Sequence, residues 1–382
     1  MAAVAAVCVF SAATLVNNDK NFAAAAGEGD AVCKSACLID AASGEVAYQY
    51  NADARMPIAS MCKIMTLTLC FEAVDDGRLA LDDMITVSDR AAGMGGSQVF
   101  LQSGCSYRAE QLIKSVVVCS ANDSCVALAE RVSGSEENFV AAMNKRAAEL
   151  GCADTLFANC TGLPKETQYS TARDVAAMFA NLIKNKRYFD YSSIWLEDFV
   201  HPGDRVTSMT NTNKLIRKYQ GCDGGKTGFT NEAGFCLAAT AARGNMRLVS
   251  AVLGGGTSEQ RFDKTSELFD YGFSNFRNLA VLDESVNLND RYAVKMGTKE
   301  NVAIRPERNC FVFCGRDEMP EITFSAEVDA LRAPLAVGDR AGSIAVFRNG
   351  KEFDRVPLVC AEDVPAAGYG YNLQKIALNW NI

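Results

Sequence analysis

Apolar and polar positions change their spacing several times along the chain. Between Ala36 and Gln49 they alternate, Cys37-Leu38-Ile39 and then Val46-Ala47-Tyr48, around the turn formers Ser43-Gly44, which predicts an opening hairpin. After Pro57, Ile64, Leu67, Phe71 and Val74 recur every three or four residues and predict a helix from about Ser60 to Asp75, stopped at Gly77. The same spacing predicts helices over 109–117, 124–132, 136–150 and 172–185, the third ended by Gly151. From Gly224 the pattern turns to strands over 225–229, 233–241 and 247–254, the last two joined by a tight hairpin at Arg243-Gly244-Asn245-Met246, and 258–276 returns to helical spacing. Past Asn278 only short alternating runs remain, at 285–288, 292–296, 310–314, 322–328 and 343–348. Asn349-Gly350 there is a strong two-residue hairpin signal. The reading is an α/β (α+β) body with an antiparallel sheet and a helical portion over 27–277, then a small all-β, sandwich-like domain over 278–363.

Composition sharpens this picture. With 382 residues, 49% of them hydrophobic, the chain can bury the cores of two domains. A formal net charge of −8 and the lack of any basic block exclude nucleic acid as a partner. Met1 to Val16 is almost wholly apolar and is followed by the small residues Ala23 to Ala26, which predicts a secretory signal over 1–26 and an exported, extracytoplasmic protein. No basic residue precedes that run, and a buried N-terminal helix is the alternative. In the tail, 364–382, Tyr369, Leu373, Ile376, Ala377 and Trp380 share one helical face. It suits a membrane surface or, with Lys375 as its only cation, packing on its own domain.

Fifteen cysteines at first suggest a disulfide scaffold, yet Cys70, Cys119, Cys125 and Cys236 lie inside apolar runs and read as small core residues. In an exported protein, so many free thiols imply surroundings poor in oxygen. The pairs Cys33/Cys37 and Cys310/Cys314 have the wrong gap for a zinc knuckle and His201 is the only histidine, so neither a metal nor another cofactor is expected. A Ser-His-Asp triad would have to use His201, which sits in a polar, loop-like stretch beside Pro202-Gly203-Asp204 and reads as a surface residue.

A lysine can replace histidine as the base if burial and a second cation lower its pKa. Ser60 and Lys63 lie three apart at a predicted helix start, so their side chains can meet, and the helix's positive end favours charge developing on the serine. Ser-x-x-Lys alone carries almost no information, being expected by chance about once in a chain of this length. It gains meaning from two companions in order: Ser120-Ala121-Asn122 between two predicted helices and Lys226-Thr227-Gly228 on a predicted strand. Gly224, Gly225 and Gly228 would let a substrate backbone lie close along that strand.

With these three motifs the chain resembles the penicillin-binding D,D-peptidases and serine β-lactamases, and specifically the low-molecular-mass D-alanyl-D-alanine carboxypeptidases. The strings 57–66, Tyr169-Ser170-Thr171-Ala172-Arg173-Asp174, 223–228 and 246–254 carry the resemblance across nearly the whole chain after residue 26. It implies a β-lactamase/transpeptidase-like fold and the partners of that family, peptidoglycan pentapeptides and β-lactam antibiotics. It further implies that Ser60 is the nucleophile, Lys63 its base and Ser120 the proton relay. Asn122 would hold the substrate amide and Lys63, Lys226 would supply positive potential, and Thr227 would bind the terminal carboxylate. Gly228 precedes Phe229, whose backbone N–H with that of Ser60 would form the oxyanion hole. Ala121 stands where many relatives have glycine, and Cys62 and Cys119 are unusual neighbours that read as packing residues. Lys214 and Arg247 are candidates for a second carboxylate-binding cation. Two rivals remain: a serine β-lactamase, for which Glu166 lies in the right stretch but lacks the Leu-Asn that should follow it, and a non-catalytic wall-binding scaffold.

Overall fold

The helix that carries the first motif is apolar on every side. In α1 (Lys63–Asp75) the residues from Lys63 to Phe71 are all buried, so this helix lies inside the molecule. The structure, a computed structural model, describes residues 25–26 and 32–379; the expected secretory signal, apart from 25–26, and Trp380 lie outside them. Contacts divide the chain into two compact units that adjoin in sequence at Phe276 and Arg277.

In the first unit the described strands are β1 (Ala25–Ala26), β2 (Ser35–Asp40), β3 (Val46–Tyr50), the pairs β4 (Met84–Thr86) with β5 (Ser106–Arg108) and β6 (Leu196–Val200) with β7 (Val206–Thr210), then β8 (Cys222–Thr230), β9 (Gly234–Arg243) and β10 (Met246–Gly255). Its other helices are α2 (Asp89–Ala92), α3 (Ala109–Cys119), α4 (Asn122–Ser133), α5 (Glu136–Glu149), α6 (Ala172–Leu182), α7 (Arg187–Ser192), α8 (Leu215–Lys218) and α9 (Ser258–Asn275). The main sheet runs β1-β3-β2-β10-β9-β8 and leaves β8 at an edge. Its pairing is antiparallel except between β1 and β3.

Alternation divides the sheet's two faces. Cys37, Ile39, Val249, Ala251 and Leu253 join the core built by α1, α3, α4 and α6. Leu38 and Leu248 point the other way, to α9, which comes so near that a Cβ on Gly272 would lie 2.5 Å from Leu248. Both faces are covered, which is why β10 reads as one continuous apolar run. Side-chain caps fix several helix starts: Ser135 caps α5, Thr171 caps α6, and Thr257 forms a capping box with Gln260 on α9.

The second unit holds β11 (Phe276–Leu282), β12 (Arg291–Lys295), β13 (Asn301–Pro306), β14 (Cys310–Gly315), β15 (Ile322–Val328), β16 (Leu331–Arg332), β17 (Arg340–Arg348), β18 (Lys351–Cys360) and the tail helix α10 (Tyr369–Asn379). Six strands run β15-β17-β18-β13-β12-β16 over a core that includes Val302, Ile304, Ile344, Val346, Val356 and Leu358, and β11 pairs with β14. The Asn349-Gly350 hairpin forms as expected, with both residues at positive φ and Arg348 facing Lys351.

The sequence expectation differs here: β13 (Asn301–Pro306) and β16 (Leu331–Arg332) are not among the expected strands, and one expected strand is absent. Residues 285–288 are not a strand: Ser285 donates its N–H and hydroxyl to Asp283 Oδ1, and this turn displaces the strand to 276–282. The fourteen described cysteines are free thiols, twelve of them buried, as their apolar neighbours indicate.

Candidate active site

Ser60 sits on a short 3-10 turn, Ala59–Cys62, that leads into α1. Ala59 before it has φ +47, a left-handed conformation that an alanine adopts only under outside constraint. The constraint is packing from two sides. Gly162 lies so near that a Cβ there would fall 2.0 Å from Ala59 O, and a Cβ on Gly228 would lie 2.9 Å from Ile58 O and 3.2 Å from Ser60 N. Both glycines are therefore required by close backbone approach.

Lys63 begins α1, one turn beyond Ser60, and is fully buried. Its Nζ is 2.9 Å from Ser60 Oγ and donates to Thr161 O at 2.5 Å. The 159–163 segment is held there because Asn159 Oδ1 accepts the N–H groups of Thr161 and Gly162, while Thr66 Oγ1 donates to Cys160 O.

The second serine ends α3 in a left-handed conformation, φ +65. It is buried, and its Oγ accepts from Lys226 Nζ at 2.8 Å. Lys226 comes from β8, is likewise buried, and donates to Thr227 O at 2.9 Å.

Neither lysine hydrogen-bonds a carboxylate among the described residues. Burial pushes the Lys63 ammonium below its ordinary pKa. Lys226 is pushed well down, by burial first and then by the charge of Lys63. Both shifts disfavour the doubly charged pair relative to two free lysines.

Asn122 opens α4 with 2% of its surface exposed, its Nδ2 donating to Gly95 O at 2.7 Å. Its Oδ1 is buried without a hydrogen-bond partner. The expected bond from Asn122 to Lys63 is not formed: the Lys63 amine bonds Ser60 Oγ and Thr161 O, and Asn122 Oδ1 is left for another donor. Thr227 follows Lys226 on β8, and Phe229 is half exposed with its ring stacked on Phe235 at 4.3 Å.

Three expectations are corrected. Gly224 and Gly225 are small for the protein's own packing and not for a substrate strand: Cβ atoms there would meet Tyr188 at 2.8 Å and Asn213 at 2.4 Å. Arg247 is committed to a two-pronged ion pair with Asp223, both contacts at 2.7 Å, and lies over the Phe189 ring. His201 is not a surface residue; it is 3% exposed, packed on Phe199 and Tyr107, and its bonds go to Tyr107, Arg205 and Thr207.

Lys214 is exposed at the start of α8. The cation beside the site is Arg261 of α9, which motif reading missed. Its Nη1 donates to Gly228 O at 3.2 Å and Cys236 O at 3.3 Å, and its charge helps to lower the Lys226 pKa. A buried arginine on a helix with no motif around it left no signal except its own rarity.

Cys62 and Cys119 are packing residues, as expected. Cys62 is fully buried and donates to Asn159 O, and burial pushes its thiol up. Cys119 donates to Ser115 O at 3.2 Å, and burial pushes it up to about 11. Glu166 is exposed on the 162–169 loop. No group of three or more His, Cys, Asp or Glu among the described residues could hold a metal ion.

Comparison with known proteins agrees with this geometry. Residues 20–257 match the family described as D-alanyl-D-alanine carboxypeptidase, and residues 283–366 match the C-terminal domain of penicillin-binding protein 5. D-alanyl-D-alanine carboxypeptidase DacF of Bacillus subtilis is 35% identical over 91% of this chain and 90% of its own length. DacC of Escherichia coli is 33% identical over 87% of this chain and 84% of its own. Among solved structures, penicillin-binding protein 5 of Haemophilus influenzae superposes with a TM-score of 0.68 at 31% identity, covering 89% of this chain and 99% of that one. Penicillin-binding protein D2 of Listeria monocytogenes, in its ampicillin-bound form, gives 0.57 at 32% identity over 63% of this chain and 97% of that one. Two converging Ser–Lys pairs and these relatives together establish that the chain belongs to the D-alanyl-D-alanine carboxypeptidase family of serine peptidases.

Proposed function

We propose that the enzyme removes the terminal D-alanine of peptidoglycan stem peptides through an ester on Ser60. The observation that carries this reading is the buried Lys63 amine 2.9 Å from the Ser60 hydroxyl with no carboxylate partner. A neutral Lys63 takes the hydroxyl proton as Ser60 Oγ attacks the carbonyl of the penultimate D-alanine. The oxyanion forms against the backbone N–H groups of Ser60 and Phe229, which the close approach at Gly228 supports. Ser120 passes a proton to the leaving nitrogen, the C–N bond breaks and D-alanine departs. Water then cleaves the ester, releasing the shortened peptide and restoring the hydroxyl.

Thr227, with the positive potential of Lys226 and Arg261 behind it, receives the terminal carboxylate. Asn122 Oδ1, buried without a partner, accepts an N–H of the substrate. A β-lactam acylates Ser60 in place of the peptide. The β-lactamase reading is disfavoured by Glu166, which is exposed and lacks the Leu-Asn that should follow it.

The reading extends to location. Residues 1–26 act as the export signal for an enzyme whose substrate is the wall, and the tail rests on the membrane surface. Tyr369 and Leu373 of α10 are exposed and support that role, although Tyr371 bonds Thr298 O and Lys375 pairs with Glu300. No helix among the described residues is long and apolar enough to cross a membrane. Co-sedimentation with anionic vesicles, lost on truncation after residue 363, tests the tail.

The catalytic reading is tested with a peptide ending in D-Ala-D-Ala. The wild type releases D-alanine and Ser60→Ala releases none; release by the variant at the wild-type rate contradicts the assignment.

A further inference from the structure

The residues 93–104 form a loop that hydrogen-bonds the Asn122 motif on one side and the β6–β7 hairpin on the other. Towards the motif, Gly95 O accepts the Asn122 side chain and Ser97 O accepts the Asn122 backbone N–H, both at 2.7 Å. The fully buried Asp123 carboxylate accepts the N–H groups of Val99 and Leu101. Gly96, at φ +79, has no room for a side chain, since a Cβ would lie 2.8 Å from Asn122 Nδ2.

Towards the hairpin, Thr207 Oγ1 donates to Val99 O at 3.1 Å and Arg205 donates to Phe100 O at 2.5 Å, and towards β5 Gln102 N donates to the Tyr107 hydroxyl at 3.2 Å. Phe100 itself is held at φ +65, a conformation an exposed phenylalanine does not choose unaided.

His201 sits where these last bonds meet, and its tautomer can be deduced. Arg205 Nη2 lies 2.8 Å from Nδ1, and a guanidinium can only donate, so Nδ1 accepts. The ring proton of the neutral imidazole is then on Nε2, which donates to Thr207 Oγ1 at 2.9 Å, and the Thr207 proton goes on to Val99 O. The direction of every bond from the imidazole to the loop is thereby set.

We propose that His201 is a positioning residue for the carboxypeptidase reaction, holding the 95–102 loop, through Thr207, Arg205 and Tyr107, in the place from which Gly95 orients the Asn122 amide. The proposal rests on Asn122 contacting substrate, as read above. Protonating Nδ1 would set an N–H against the Arg205 guanidinium and remove that acceptor. The charged group facing the imidazole is Arg205 of the same hairpin. Tyr107 of β5 is the other titratable neighbour, and Phe199, Thr207 and Val99 are neutral; Asp204 in the hairpin turn is exposed. Burial and Arg205 hold the His201 pKa below its ordinary 6.5, so the clamp is intact at neutral pH and opens in acid.

The test is the rate of acylation by a fluorescent penicillin between about pH 4.5 and 9, with D-alanine release measured in parallel. His201→Leu and Thr207→Val are expected to acylate about tenfold more slowly at pH 7, the effect of one misplaced substrate hydrogen bond, while keeping the limb due to Lys63. His201→Gln keeps a donor near the Nε2 position and cannot be protonated, so it should retain most of the neutral rate and lose the acid limb. Wild-type rates and an unchanged acid limb in His201→Gln and Thr207→Val overturn the proposal, even if His201→Leu fails to fold. Absence of Ser60-dependent acylation in the wild type would instead overturn the functional reading beneath it.

Discussion

The site contains two serine–lysine contacts of nearly equal length that are built in opposite ways. Ser60 and Lys63 are neighbours on one helical turn, 2.9 Å apart, and their meeting is a property of local geometry. Ser120 and Lys226 are 2.8 Å apart although 106 positions separate them, one ending a helix and the other on an edge strand. The first pair forms wherever this segment folds as a helix start; the second forms only when the helical part and the sheet are assembled. The meeting of nucleophile and base therefore rests on local structure, while the burial that lowers the Lys63 pKa and the whole of the second pair rest on tertiary structure.

The comparison can be broken most severely at Lys63. Lys63→Met keeps the volume and removes the base, and acylation by a penicillin should fall about 10³-fold while the protein stays folded by circular dichroism. Severing the distant pair should cost less. Ser120→Ala and Lys226→Met should each lower acylation about 10²-fold, and the double variant little more than either, because the two act as a unit. Stopped-flow or gel-based labelling reads both. Gly228→Ala, which pushes a Cβ at Ile58 O and Ser60 N, should slow acylation about tenfold by shifting the oxyanion donors, with its deficit in kcat and not in KM.

The smallest effect is a shift in pH. The folded pKa of Lys63 lies below 10.5, so the amine deprotonates as pH rises and acylation climbs, levelling off below that value. The coupling of the two lysines is mutual. Lys226→Met removes a like charge, so the midpoint of this limb should move up. An unmoved midpoint would mean that burial alone sets the Lys63 protonation state.

The contrast between the pairs also explains what could be read from the chain. The local pair was legible because spacing and apolar periodicity are both short-range signals. The distant pair was legible only through resemblance, since nothing in residues 120 and 226 themselves says that they meet. Strands β9 and β10 were legible from their apolar runs and the Gly244-Asn245 turn, whereas β8, rich in glycine and polar residues, has no such run. The β6–β7 hairpin was not legible. Its strands, Leu196–Val200 and Val206–Thr210, bury little more than Phe199 and Met209, and so carry no strong periodic pattern.

His201 was misread for the same reason. A polar neighbourhood in sequence, Pro202-Gly203-Asp204, hid an imidazole that the hairpin folds against Tyr107 and Phe199. Arg261 lies on a helix whose pattern announced only packing against the sheet. The loop over Asn122 owes its shape to Asp123 and Thr207, which reach it from elements brought together by the fold.

One measurement bears most directly on the central claim, that the buried amine next to residue 60 makes that hydroxyl the nucleophile. After brief exposure to penicillin, the protein is digested and the modified peptide mapped by mass spectrometry. The adduct should lie on Ser60 in the wild type and be lost in Ser60→Ala. An adduct on Cys62, Cys119 or Ser120, or undiminished labelling of the variant, would contradict it.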